Sequence, residues 1–234
     1  MNHHGWLRPG KLLAALVLAG LLVASFSHTG LARQKVPDPA QGLALTSKHG
    51  SETAVFAGGC FWGIEAVFEH VRGVRNARSG YSGGESATAK YGLVSDGDTG
   101  HAESVEVTFD PAVVSYGSLL KVFFSVAHDP TQLNRQGPDR GTQYRSAIFY
   151  RTPEQQKTAQ AYVRQMSQAK IFGNSVIVTQ ITPLRAFYPA EAYHQDFARL
   201  NPNHPYISYW DAPKLVHLQQ QFPGLYRAQG LAAK

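Results

Sequence analysis

Gly58-Gly59-Cys60-Phe61-Trp62-Gly63 carries the plainest chemistry in the chain, because it holds the single cysteine of 234 residues. Before it, Thr53-Ala54-Val55-Phe56-Ala57 is an apolar run of strand length. After it, Ile64, Val67, Phe68 and Val71 recur at helical spacing, which predicts a helix beginning near Phe61. Cys60 is therefore expected at a strand-to-helix turn. The unpaired N–H groups of a helix start favour an anion there, and so a thiolate. Glycines on both sides let the backbone turn tightly and leave the sulfur approachable. A lone cysteine also has a plain structural reading, as a small buried hydrophobe.

Three kinds of chemistry compete for Cys60. Acyl transfer needs a histidine base, for which His101, His128 and His194 are the candidates, and none lies in a recognised hydrolase signature. Redox chemistry at sulfur is the second. Phe61 and Trp62 would form an aromatic wall suited to a methyl or thioether group, although on these residues alone a helix start buried in the core is the better explanation of them. A non-catalytic redox sensor is the third. One cysteine and scattered histidines do not give zinc-ligand spacing. Asp96 and Asp98 lie in a glycine-rich loop, but the later ligands of a calcium loop are missing, so no metal is expected.

The elements that must position these groups read as an alternation. Val74–Ser79 is a strand leading to the turn Gly80-Tyr81-Ser82-Gly83-Gly84. A polar stretch carrying Tyr91 follows. Ser104–Phe109 then alternates polar and apolar as a half-buried strand, with Glu103 at its entry. Tyr116–Val126 is helical, and Thr131–Thr142 is a polar loop containing Asp139. Gln143-Tyr144-Arg145 leads into the strand Ser146–Tyr150. Thr152 caps a helix from Pro153 to about Lys170. Val176–Ile181 reads as a strand and Pro189–Leu200 as a helix. Helices long enough to cover one face of a mixed sheet imply an α/β (α+β) two-layer sandwich.

Composition sets the outer limits. The chain is 43% hydrophobic and 16% charged, enough for a substantial core. Its formal charge of +6 comes from scattered Lys and Arg without a nucleic-acid motif, so nucleic-acid binding is not expected. Arg8 and Lys11 precede an apolar run, Leu12–Ala24, shorter than an ordinary membrane span and suited to a signal-peptide core. Small residues at Gly30 and Ala32 suggest cleavage near Ala32, with an uncleaved anchor as the alternative. The expected divisions are a signal segment 1–32, a linker 33–50, a catalytic domain 51–210 and a tail 211–234. Export implies a periplasmic or extracellular site, possible membrane anchoring aside. An odd cysteine in an exported chain suggests a reactive thiol.

One resemblance joins these pieces. Gly59-Cys60-Phe61-Trp62-Gly63 is similar to the signature of the peptide methionine sulfoxide reductase A family. So are Gly80-Tyr81-Ser82-Gly83-Gly84, Gly97-Asp98-Thr99-Gly100-His101-Ala102-Glu103 and His128-Asp129-Pro130-Thr131. Gly141-Thr142-Gln143-Tyr144-Arg145-Ser146 and Ala190-Glu191-Ala192-Tyr193-His194-Gln195 complete the series, in the family's order. The resemblance implies a sandwich related to the ferredoxin-like arrangement and reduction of the S epimer of methionine sulfoxide, free or in oxidised proteins. By resemblance Cys60 is the nucleophile and Glu103 the acid beside the sulfoxide oxygen. Tyr91 and Tyr144 hydrogen-bond that oxygen, Phe61 and Trp62 receive the methyl group, and Asp139 helps fix the substrate. No cofactor is implied, and a monomer is the default expectation. Many family members carry further cysteines that resolve the oxidised nucleophile. This sequence holds none, so an external thiol, a thioredoxin-like protein or a small thiol, must regenerate Cys60.

Overall fold

The computed structural model describes residues 36–231, and the expected signal segment, residues 1–32, lies outside them. The run through Val55 and Phe56 forms β1 (Glu52–Gly58), and the helical spacing after Cys60 forms α1 (Phe61–Glu69). β2 (Val74–Ser82) follows, then the single turn α2 (Tyr91–Val94) and β3 (Ala102–Phe109). α3 (Tyr116–Val122) is capped by Ser115, whose hydroxyl accepts from Ser118 N–H, and it runs on as a wider π-type turn over Phe123–Ala127. The polar loop around Asp139 contains a small hairpin, β4 (Arg135–Gln136) and β5 (Asp139–Arg140). β6 (Ser146–Tyr150) leads to α4 (Pro153–Gln168), where Thr152 accepts from Gln155 N–H and Pro153 occupies the first position. β7 (Gln180–Pro183), β8 (Phe187–Pro189), α5 (Phe197–Leu200) and α6 (Ala212–Gln221) complete the order.

Six strands make one mixed sheet in the order β7-β6-β1-β3-β2-β8, antiparallel except for the β6–β7 pair. The main core lies on one face, where Phe56, Val105, Val107 and Ile148 meet Ile64, Phe68, Leu119, Phe123 and Tyr162 from the helices. The opposite face holds a smaller set, including Val55, Ala57, Ala147 and Phe149, covered by Leu184 and Phe187. This is the expected two-layer arrangement.

Four expectations need correction, each for a tertiary reason. The segment 189–200 is not one helix. Gln195 hydrogen-bonds through its side-chain amide to both backbone groups of Ser79 on β2, acting as a surrogate strand partner. Asp196 then adopts a left-handed backbone (φ 57°), with its N–H held by the buried Glu65 carboxylate, and only Phe197–Leu200 is helical. The strand expected at 176–181 begins later, because Val178 N–H is already bonded to Pro130 O. The stretch expected as a linker is laid along α3 and α4: Val36 is buried, Tyr162 donates to Pro37 O (2.7 Å), and Lys121 pairs with Asp38 (2.6 Å). The expected tail contains α6, which packs on α1 through buried Leu218.

Candidate active site

Antiparallel pairing gathers the site at one end of the sheet. β1 ends at Gly58, which pairs with Ser146 at the start of β6, two residues after Tyr144. Glu103 is the second residue of β3, the other neighbour of β1. Cys60 therefore leaves the central strand at the place where Glu103 and Tyr144 enter theirs.

Cys60 is the N-cap residue of α1, and it is half-buried. Gly59 precedes it with φ +98°, and a β-carbon there would stand 2.5 Å from Gln136 Cβ, so this turn accepts only glycine. The first helical N–H does not serve the sulfur: Phe61 N–H donates to Glu103 Oε2 (3.0 Å). That bond ties the Glu103 carboxyl to the residue next to Cys60. Burial pushes the Glu103 carboxyl from 4.5 up to about 8, against the lowering effect of that N–H, with the Asp139 charge adding to the rise. Glu103 therefore carries its proton at neutral pH.

The sequence led us to expect a thiolate at the helix start. The structure gives the opposite resting state. Burial, then the charges of Glu103, Asp211 and Asp139, push the Cys60 thiol well above its ordinary value, and a hydrogen bond from Trp62 N–H opposes them too weakly. One helix terminus is outweighed by desolvation, and the neighbouring carboxyl groups add to it wherever they are ionised.

The phenols gather around the same pair. Tyr91 and Tyr144 are held protonated, first by burial and then by the Glu103 charge, so both remain hydrogen-bond donors. Tyr91 is anchored by its N–H to Glu191 Oε1 (2.9 Å). Asp139, on β5, is raised by burial and accepts a short hydrogen bond from the Tyr206 hydroxyl. The two expected wall residues part company. Trp62 is half-buried, stacked on Phe197 (3.8 Å between centroids) with Tyr206 edge-on at 5.9 Å. Phe61 is 1% exposed, packed on Tyr81 and His194, and so backs the wall from within the core.

Two of the three candidate histidines, His101 and His128, are engaged at both ring nitrogens, and His194 at one. Gly84 N–H donates to His101 Nδ1 (3.2 Å), and His101 Nε2 lies 3.0 Å from Glu85 O. His128 sits between Phe123 O and the Ser146 hydroxyl. His194 accepts at Nδ1 from Trp62 Nε1–H (3.2 Å), and burial lowers its pKa. These bonds remove support from a cysteine–histidine hydrolase.

Several site residues were not found from the sequence. Tyr206 comes from the end of the expected catalytic domain, after the last element read from the sequence, and Asp211 and Lys214 come from the expected tail. Asp211 is buried and forms an ion pair with Lys214 (2.9 Å). A β-carbon on Gly63 would lie 2.0 Å from Asp211 Oδ1, so this pair rests directly on the first turn of α1. The only available signal was a run of aromatics, Tyr206, Tyr209 and Trp210, outside any periodic element.

A sole thiol beside a buried, neutral carboxylic acid, ringed by phenols on a mixed sheet, defines a thiol oxidoreductase site rather than a hydrolytic one. The profile of the family described as "Peptide methionine sulfoxide reductase" matches residues 52–224. "Peptide methionine sulfoxide reductase MsrA 2" from Synechocystis is 52% identical over 217 residues, covering 92% of this chain and 98% of that protein. A protein of the same description from Mesorhizobium japonicum is 59% identical over 177 residues, covering 76% and 90%. Among solved structures, reduced Mxr1 from Saccharomyces cerevisiae is 32% identical with a TM-score of 0.60, covering 69% of this chain and 91% of that one. Methionine sulfoxide reductase A of Corynebacterium diphtheriae is 36% identical with a TM-score of 0.57, covering 68% and 78%. The chain belongs to the peptide methionine sulfoxide reductase family.

Proposed function

We propose that the protein reduces the S epimer of methionine sulfoxide, free and in oxidised proteins, by way of Cys60. The observation that carries this reading is the neutral carboxyl of Glu103, bonded to Phe61 N–H beside the nucleophile. A sulfoxide oxygen leaves only if it is protonated, so the reaction needs an acid that keeps its proton near neutral pH. With Glu103 protonated, its contribution to the high Cys60 pKa also disappears. As Cys60 sulfur bonds to the sulfoxide sulfur, the oxygen takes the Glu103 proton, and the thiol proton restores the Glu103 carboxyl. Transfer of the hydroxyl to Cys60 breaks the sulfur–sulfur bond. Methionine is released, and Cys60, oxidised by two electrons, becomes a sulfenic acid. Tyr91 and Tyr144 hold the oxygen as donors. Trp62 and Tyr206 receive the methyl group with Phe61 behind them, and Asp139 is fixed by Tyr206.

No second cysteine stands in the sequence to resolve the sulfenic acid. An external thiol attacks it, releasing water and leaving a mixed disulfide. A second thiol then frees Cys60. A thioredoxin-like dithiol or a small thiol supplies both. The basic and apolar pattern of residues 8–32 supports export of the enzyme to a periplasmic or extracellular site.

The test is to supply each epimer of methionine sulfoxide with dithiothreitol and to measure methionine. The reading predicts loss of the S epimer alone. Peroxide oxidation of Cys60 without reduction of either epimer would replace it with a redox sensor.

A further inference from the structure

The mouth of the site carries aromatic surface that the reaction does not use. Tyr193 is 63% exposed, Tyr209 66% and Trp210 40%. Such side chains in water are costly, and grouped around a site they mark a contact surface. Tyr193 borders the Tyr91 side: its ring packs on His194 (4.3 Å), which packs on Tyr91 (4.3 Å). Tyr209 and Trp210 border the Asp139 side. Their rings meet at 4.8 Å, and Trp210 lies over Gly137, its ring 3.3 Å from where a β-carbon would stand. The next residue, Asp211, turns inward and acts on Cys60, so the chain presents its aromatics outward there.

We propose that Tyr193, Tyr209 and Trp210 form a rim that grips the polypeptide flanking a methionine sulfoxide, with a preference for apolar or aromatic residues two positions away on either side. The proposal rests on the reduction reading above. The occupant follows from the reaction. Cys60 is half-buried, so a methionine side chain must reach inward and its backbone must cross the mouth. A second copy or a permanently bound partner there would shut the substrate out. In an extended chain, residues two apart face the same side, at roughly 6.6 Å, while immediate neighbours face away. Residues at ±2 therefore meet the rim, and residues at ±1 meet solvent. The substrates favoured are unfolded segments with buried-type residues around the methionine.

The test uses Gly/Ser peptides bearing one methionine S-sulfoxide, with Phe at both ±2 positions, at both ±1 positions, or at neither. The rim predicts kcat/KM about tenfold higher for the ±2 peptide than for the plain one, and little change for the ±1 peptide. Tyr193→Ser combined with Tyr209→Ser, both at exposed positions, should bring the ±2 advantage to within about twofold. Reduction of free methionine S-sulfoxide with dithiothreitol should be unchanged. Equal rates for the three peptides, or an advantage that survives in the double variant, overturns the rim. So does a double variant impaired only in its KM for thioredoxin, which would assign the surface to the reductant. Failure of the wild-type enzyme on free S-sulfoxide would instead remove the underlying reading.

Discussion

Glu103→Gln is the sharpest perturbation of this site, because it separates chemistry from stability in opposite directions. Glutamine keeps the shape and an oxygen to accept Phe61 N–H, but it has no proton to give. Positioned general acids contribute about 10²–10⁴ in rate, so methionine release in a single turnover should slow by that factor. The fold should gain. The carboxyl titrates at about 8 when folded against an ordinary 4.5. Between those values the folded state binds the proton that the unfolded state has released, so stability falls as pH rises. At roughly 1.4 kcal/mol per unit, the wild-type protein bears about 3 kcal/mol at pH 7 and about 5 kcal/mol above pH 8. It bears nothing below about pH 4. The glutamine variant should therefore match the wild type in urea unfolding near pH 4 and exceed it increasingly up to about pH 8. A stability difference independent of pH would refute the buried neutral acid. Single-turnover release at the wild-type rate would refute its part in proton transfer.

Other outcomes follow from the same geometry. Cys60→Ser should abolish methionine release without changing the circular dichroism spectrum. The wild-type enzyme, given S-sulfoxide and no thiol, should release one methionine per chain, with intact mass showing one added oxygen on Cys60. Tyr206→Phe removes the hydroxyl that donates to Asp139. A bond to a charged group is worth about 1.5–3 kcal/mol, so kcat/KM should fall about ten- to a hundredfold. Gly63→Ala drives a methyl group into the Asp211–Lys214 pair, and urea unfolding should show a loss of about 1–3 kcal/mol.

Local order in the sequence was a good guide wherever local rules govern. Alternation marked β3, the Thr152-Pro153 pair marked the start of α4, and glycines around Cys60 marked its turn. Glu103 was placed at a strand entry from the same alternation. What failed was set by distant partners. Gln195 breaks an apparently helical run because Ser79, far away in sequence, needs a strand partner. The ionisation of Cys60 was misjudged because a helix start is visible in sequence, whereas the burial and the acids that outweigh it are not. Asp211 stands about 150 residues from the cysteine it influences, and neither it nor its partner Lys214 has a periodic pattern to announce it.

The anchoring of the reacting pair in the middle of the sheet has a consequence for motion. Phe61 N–H is buried in its bond to Glu103, and its supports are β1 and β3, the two central strands. Deuterium should enter that amide only when the whole domain opens. The segment from Phe197 to Trp210, built of short helical turns, should exchange through much cheaper local openings. Tolerance of many polypeptide neighbours and fidelity of oxygen transfer would then reside in separate cooperative units of one molecule.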